Sequence, residues 1–96
     1  MATHGDWCIS LPEHVSWTTS SGEILVFNAQ TEEICGLDEV AADAFTQLVA
    51  HGRLSAVVEV LQGLYAIDAA TLRRDVSSLV RQLEARGLLR VESASA

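Results

Sequence analysis

The sequence predicts an α+β domain of winged-helix type, with antiparallel hairpins first and three helices after them. Two observations carry this reading. Up to Gly36, apolar residues alternate or run in short stretches between turn residues; from Asp38 onward they recur at three- and four-residue spacing. No segment before Gly36 leaves room for a crossover helix, so the strands there are expected to pair antiparallel with their neighbours.

The first strand signal is Trp7, Ile9 and Leu11, alternating with polar residues or cysteine until Pro12 stops the run. Val15 and Trp17 alternate again, and Thr18–Gly22 reads as a turn. Glu23–Asn28 is an apolar run between turn residues and the strongest strand signal in the chain. Asn28–Thr31 reads as a second turn. Glu32–Gly36 follows as a short strand that carries two acids and ends in glycine.

Asp38 is a good N-cap for a first helix, with Val40, Ala41, Ala44, Phe45, Leu48 and Val49 as its apolar stripe and Gly52 as its stop. Ser55 is read as the cap of a second helix carrying Val57, Val58, Val60, Leu61 and Leu64. Valines lower intrinsic helix propensity, so burial must hold it. Asp68 caps the third and longest helix, which runs to about Arg86 and stops at Gly87. Leu72, Val76, Leu79 and Leu83 form its core stripe, widened by Val80. Leu88, Leu89 and Val91 continue as an extended tail or last strand, and residues 92–96 are expected to fray.

At 96 residues the chain suits a single domain with one modest core, spanning residues 1–96 with its body at about 7–91. The net charge is −7, and all six bases are arginine. That balance argues against non-specific nucleic-acid binding, which needs a basic surface. No apolar run approaches the ~20 residues that span a bilayer. Met1–Asp6 lacks the basic start and apolar stretch of a signal peptide, so a cytoplasmic location is expected. Cys8 and Cys35 form no C-x-x-C pair, and with His4, His14 and His51 they match no metal-ligand spacing; buried, reduced thiols are expected.

No catalytic constellation is present. There is no G-x-S-x-G, no H-E-x-x-H and no phosphate-binding glycine loop, so the chain reads as a non-enzyme. Asp38 and Glu39 suit a helix start, and Glu32-Glu33 suits a solvated edge. Two features remain. An acidic strand edge at Glu32–Gly36 can accept an extended peptide by strand addition. The third helix bears Arg73, Arg74, Arg81 and Arg86, four of the six bases. At ~100° per residue, Arg74 and Arg81 lie opposite the core; Asp75, Ser78, Gln82 and Arg86 share one flank, and Arg73, Ser77 and Glu84 the other. Arg81 and Arg86 suit a helix C-terminus, while bidentate arginine–carboxylate contacts to a partner are the functional alternative.

The region Val15–Val91 resembles the PqqD-like family, the peptide-recognition domains of ribosomal peptide-modification pathways. The resemblance lies in Ile24–Asn28, Thr31–Asp38, Ala41–Phe45 and Leu72–Val76 with Leu79 and Leu83, then Gly87–Leu89. It departs from the family at three places: Asp38 stands for a usual asparagine, Glu32 for a turn glycine and Ile34 for an aromatic. The last two touch the strand expected to meet peptide. The resemblance implies a three-stranded antiparallel sheet packed on three helices. It also implies a groove, between the last strand of that sheet and the third helix, that binds the leader segment of a precursor peptide. Carried onto this chain, the peptide-binding residues are Glu32, Glu33, Ile34, Cys35 and Gly36 on the strand. On the helix they are Arg74, Asp75, Ser78, Leu79 and Gln82, with Leu79 at the floor and Arg74 at the rim. The resemblance implies no cofactor, since the chemistry would belong to a partner enzyme, such as a radical-type oxidase, a protease or a cyclase. Two alternatives stand beside this: a winged-helix DNA-binding domain using Arg73, Arg74 and Arg81, and a structural or homodimerisation subunit.

Overall fold

A computed structural model describes residues 7–93. Its elements run β1 (Trp7–Ser10), β2 (Val15–Ser20), β3 (Glu23–Asn28), β4 (Glu33–Leu37), α1 (Glu39–His51), α2 (Leu54–Leu64), α3 (Ala69–Ala85) and β5 (Arg90–Ser93). The α+β class, with strands before helices, is as the sequence predicts. His4 and the last three residues lie outside the described residues.

β2, β3 and β4 form an antiparallel three-stranded sheet in that order. Ser21 and Gly22 both take positive φ (52° and 83°), which gives β2–β3 a two-residue hairpin whose twist matches the strands. Thr18–Ser20 are therefore strand rather than turn. Ile24, Val26 and Asn28 of β3 face the core, while Leu25 and Phe27 face outward. Register then puts Cys35 and Leu37 of β4 on the core face and Ile34 and Gly36 on the outer one.

β4 begins at Glu33, one residue later than expected. Glu32 sits at φ 62°, in the left-handed region, so it belongs to the turn. That is the position at which the family resemblance has glycine in place of Glu32, and the backbone conformation accounts for it.

β1 does not join the sheet as a hairpin with β2. Its partner is β5, antiparallel, with Trp7 opposite Ser93 and Ser10 opposite Arg90. Pro12 and a turn bond from Val15 N to Pro12 O (3.1 Å) turn the chain away between β1 and β2. Glu92 and Ser93, expected to fray, are thereby held in a strand.

Phe45, Leu48, Leu54, Val57, Val26, Val80 and Leu83 form the centre of the core. Trp17 and Phe45 meet edge to face at a centroid distance of 5.6 Å, tying β2 to α1. In α1 the buried row is Ala42, Ala44, Phe45 and Leu48, whereas Val40 and Val49 are exposed. Ala44, Phe45 and Leu48 of the expected stripe are thus buried, and Ala42 joins them. α2 starts at Leu54, not at a Ser55 cap. A bridge between Cys8 and Arg53 holds Arg53 extended, and the buried Leu54 opens the helix without a side-chain cap. In α3, Val80 is fully buried, while Leu79 is only half-buried at the edge of the core. No helix among the described residues is long and apolar enough to cross a membrane.

Both acidic caps act as expected. The Asp38 carboxylate accepts from Ala41 N (3.0 Å). Asp68 accepts from the Thr71 hydroxyl (2.8 Å) and the Thr71 amide (3.0 Å). These two bonds, the hydroxyl's first, hold the Asp68 pKa below the usual aspartate value. A depressed carboxyl contributes stability above its unfolded pKa, and that contribution is lost as pH falls through the folded pKa. Wild type is therefore expected to lose stability relative to Asp68→Asn as pH becomes strongly acidic. Parallel melting curves at every pH would contradict this.

Gly87 stops α3 at φ 73°, and a Cβ there would lie 3.1 Å from Asn28 Nδ2. Gly87→Ala is expected to cost about 1–2 kcal/mol by chemical denaturation. An unchanged midpoint would show that this turn is not strained by a side chain.

Candidate peptide-binding groove

β4 is an edge strand, with one side paired to β3 and the other open. Alternate residues of an antiparallel edge turn their N–H and C=O outward, and five residues present about 17 Å of such edge. α3 faces this side. Between them lies a shallow groove of about 320 Å³, lined by Cys35–Asp38 of the strand side, by Ala41, by Leu79, Gln82 and Leu83 of α3, and by Arg86, which caps the C-terminus of that helix.

The groove is set by a polar latch at the end of α3. Asn28 is buried among apolar residues, and its Nδ2 donates to the Arg86 carbonyl (3.0 Å). Its Oδ1 accepts from Gln30 N (2.9 Å) and Thr31 N (3.3 Å), which closes the β3–β4 turn. His14 Nε2 lies 3.0 Å from the Gly87 carbonyl, which it reaches as a donor. The last carbonyls of a helix have no partners within it, so these bonds meet a need of α3 and tie it to the sheet. α3 consequently runs antiparallel to β4, its C-terminus beside the start of that strand.

Four expected site residues line the groove: Cys35, Gly36, Leu79 and Gln82. Gly36 does so through its backbone. The Gln82 amide makes no hydrogen bond among the described residues and is open to a ligand's main chain. The other six do not line it. Glu32 and Glu33 lie at the turn end, and Ile34 points to the outer face, 63% exposed beside Phe27. Asp75 and Ser78 share the flank of Gln82 and Arg86 but lie exposed nearer the start of α3, before the stretch that lines the groove. Arg74 lies at the surface with its Nε 3.8 Å from Asp75, outside the residues that line the groove.

Leu37, Asp38, Ala41, Leu83 and Arg86 also line the groove, although sequence reasoning did not place them there. Arg86 shares a helical flank with Gln82, and that spacing was the available signal. Arg86 NH1 reaches across to Cys35 Sγ at 3.4 Å. Both cysteines are free thiols and half-buried rather than buried. Arg81 stacks on Trp7 with its guanidinium carbon 4.4 Å from the ring centroid, and also pairs with Glu84 at 3.4 Å. Those contacts fix Arg81 between α3 and β1, where it is poorly placed for a recognition helix in a DNA groove.

Fold and groove together define an α+β domain of winged-helix type with an open strand edge facing a helix. The chain belongs to the PqqD family, described as coenzyme PQQ synthesis protein D, whose sequence model matches residues 23–89. That span runs from β3 through α3. No curated protein matches the sequence. Among solved structures, TbiB1 in complex with the TbiA(beta) leader peptide is similar at TM-score 0.80 and 25% identity, over 84% of this chain and 94% of that one. Lasso peptide synthetase B1 complexed with the leader peptide is similar at TM-score 0.78 and 20% identity, over 85% of this chain and 96% of that one.

Proposed function

We propose that this protein is a non-catalytic recognition module that binds the leader segment of a ribosomally made precursor peptide and presents it to a partner modifying enzyme. The observation that carries this is an open strand edge beside a groove with an apolar floor, in a PqqD-family chain whose structural neighbours include leader-peptide complexes. The leader adds to β4 as an extended strand. Main-chain bonds supply affinity, and contacts with Leu79 and Gln82 supply register. Because strand addition uses main-chain groups, acids at the turn end do not prevent it.

The test is calorimetric titration of the full chain with the leader of a short precursor peptide encoded beside its gene. Saturable one-to-one binding is expected, with a negative heat-capacity change from apolar burial. No binding, or equal binding of a scrambled leader, would remove the proposal.

A further inference from the structure

We propose that Arg86 is the specificity anchor of the groove and selects a peptide bearing an aspartate or glutamate at one fixed position. This rests on the peptide-binding reading and names the chemistry of its ligand. Arg81 is engaged by Trp7 and Glu84, and Arg74 lies beside Asp75. Arg86 is different. Among the described residues its guanidinium meets no carboxylate, and its side-chain contact is the Cys35 thiol at 3.4 Å.

Sulfur is a weak acceptor, so this contact aims the guanidinium across the groove without satisfying its five N–H donors. A carboxylate entering the groove can take two of them in the planar fork that arginine offers. The root of the side chain is already held, because Asn28 bonds the Arg86 carbonyl and His14 the next one. Favourable interaction with the helix dipole accounts for a cation at this terminus, but not for its reach to the facing strand.

The net charge of −7 disfavours acidic peptides in general. Screening over ~8 Å confines that penalty, so one acid beside Arg86 is favoured while a run of acids is not. The spacing follows from the fold. Leu79 and Arg86 are two helical turns apart, roughly 10 Å along α3. On an extended peptide, residues facing α3 recur every second position at ~3.3 Å per residue. The acid therefore lies two or four residues from the apolar side chain that covers Leu79.

The experiment is selection from a display library of random twelve-residue peptides on the full chain, on Arg86→Gln and on Arg86→Glu. The wild-type pool is expected to enrich one acid at that spacing from an aliphatic residue. Arg86→Gln keeps the aliphatic preference and loses the acid; Arg86→Glu replaces it with lysine or arginine. Changing the acid to its amide in a selected peptide weakens wild-type binding about tenfold, or ~1.4 kcal/mol, and leaves Arg86→Gln binding unchanged. That peptide-side arm on wild type needs no variant to fold. Peptides enriched without an acid preference, or an acid preference that survives in Arg86→Gln, would overturn the anchor and leave peptide recognition standing. If wild type enriches no peptide at all, both fall.

Discussion

Leu79→Glu is expected to lose peptide affinity by about a hundredfold or more, roughly 2.7 kcal/mol, while the protein stays folded. Leu79 lines the groove and packs only partly against the core. A carboxylate there would have to be desolvated under a bound apolar side chain, or would keep that side chain out. The helix itself tolerates the change, since glutamate is a good helix former and the position is half open to solvent. The stability cost is on the order of 1 kcal/mol, because the central residues Val80 and Leu83 are untouched. Titration and thermal melting should be read together. Retained affinity would move the ligand off this groove, whereas a collapsed melt would make Leu79 a core residue rather than a groove floor.

Asn28→Ala is expected to give the largest loss of stability among polar substitutions, about 2–4 kcal/mol, or about 10–25 °C in melting temperature. Three bonds vanish together: one to the Arg86 carbonyl and two that close the turn at Gln30 and Thr31. The site is buried, so water cannot simply replace them. Asn28→Asp separates the two roles. Its oxygens still accept from Gln30 and Thr31, but a carboxylate faces the Arg86 carbonyl, acceptor against acceptor. That variant should regain stability as pH falls and the carboxyl becomes a donor. Peptide affinity should fall with the latch, because α3 is no longer held against β4. A melting shift of only a few degrees in Asn28→Ala would show that the latch does not hold the groove.

Most of the fold is legible locally. Asp38 and Asp68 announce helix starts, Gly52 and Gly87 announce stops, and the apolar run at Glu23–Asn28 announces the central strand. What fails is either long-range or a matter of phase. β1 pairs with β5 across nearly the whole chain, and nothing near Trp7 encodes that partner. Val80 rather than Leu79 is the buried member of its pair, because neighbouring apolar residues leave the phase of the stripe open until packing decides it. Ser55 has the composition of a cap, but the Cys8–Arg53 bridge makes Arg53 the cap and sets the start of α2 two residues earlier, at Leu54.

The site is legible to the level of its elements. An acidic edge strand and an arginine-bearing helix can be picked out from residue type. Which flank of the helix meets the strand cannot, because it depends on where Asn28 and His14 grip the end of α3. Gln82 and Leu79 reach the groove while Asp75 and Ser78 do not, since only the stretch of α3 from Leu79 onward lines it. Arg86 stands at the groove because the helix ends beside Cys35.

The most direct measurement is amide hydrogen exchange of the full chain with and without its leader peptide. Protection is expected to rise together in Glu33–Leu37 and along the Leu79–Arg86 face of α3, with β1 and β5 unchanged. Binding that leaves the β4 amides exchanging as in the free protein would contradict strand addition at this edge.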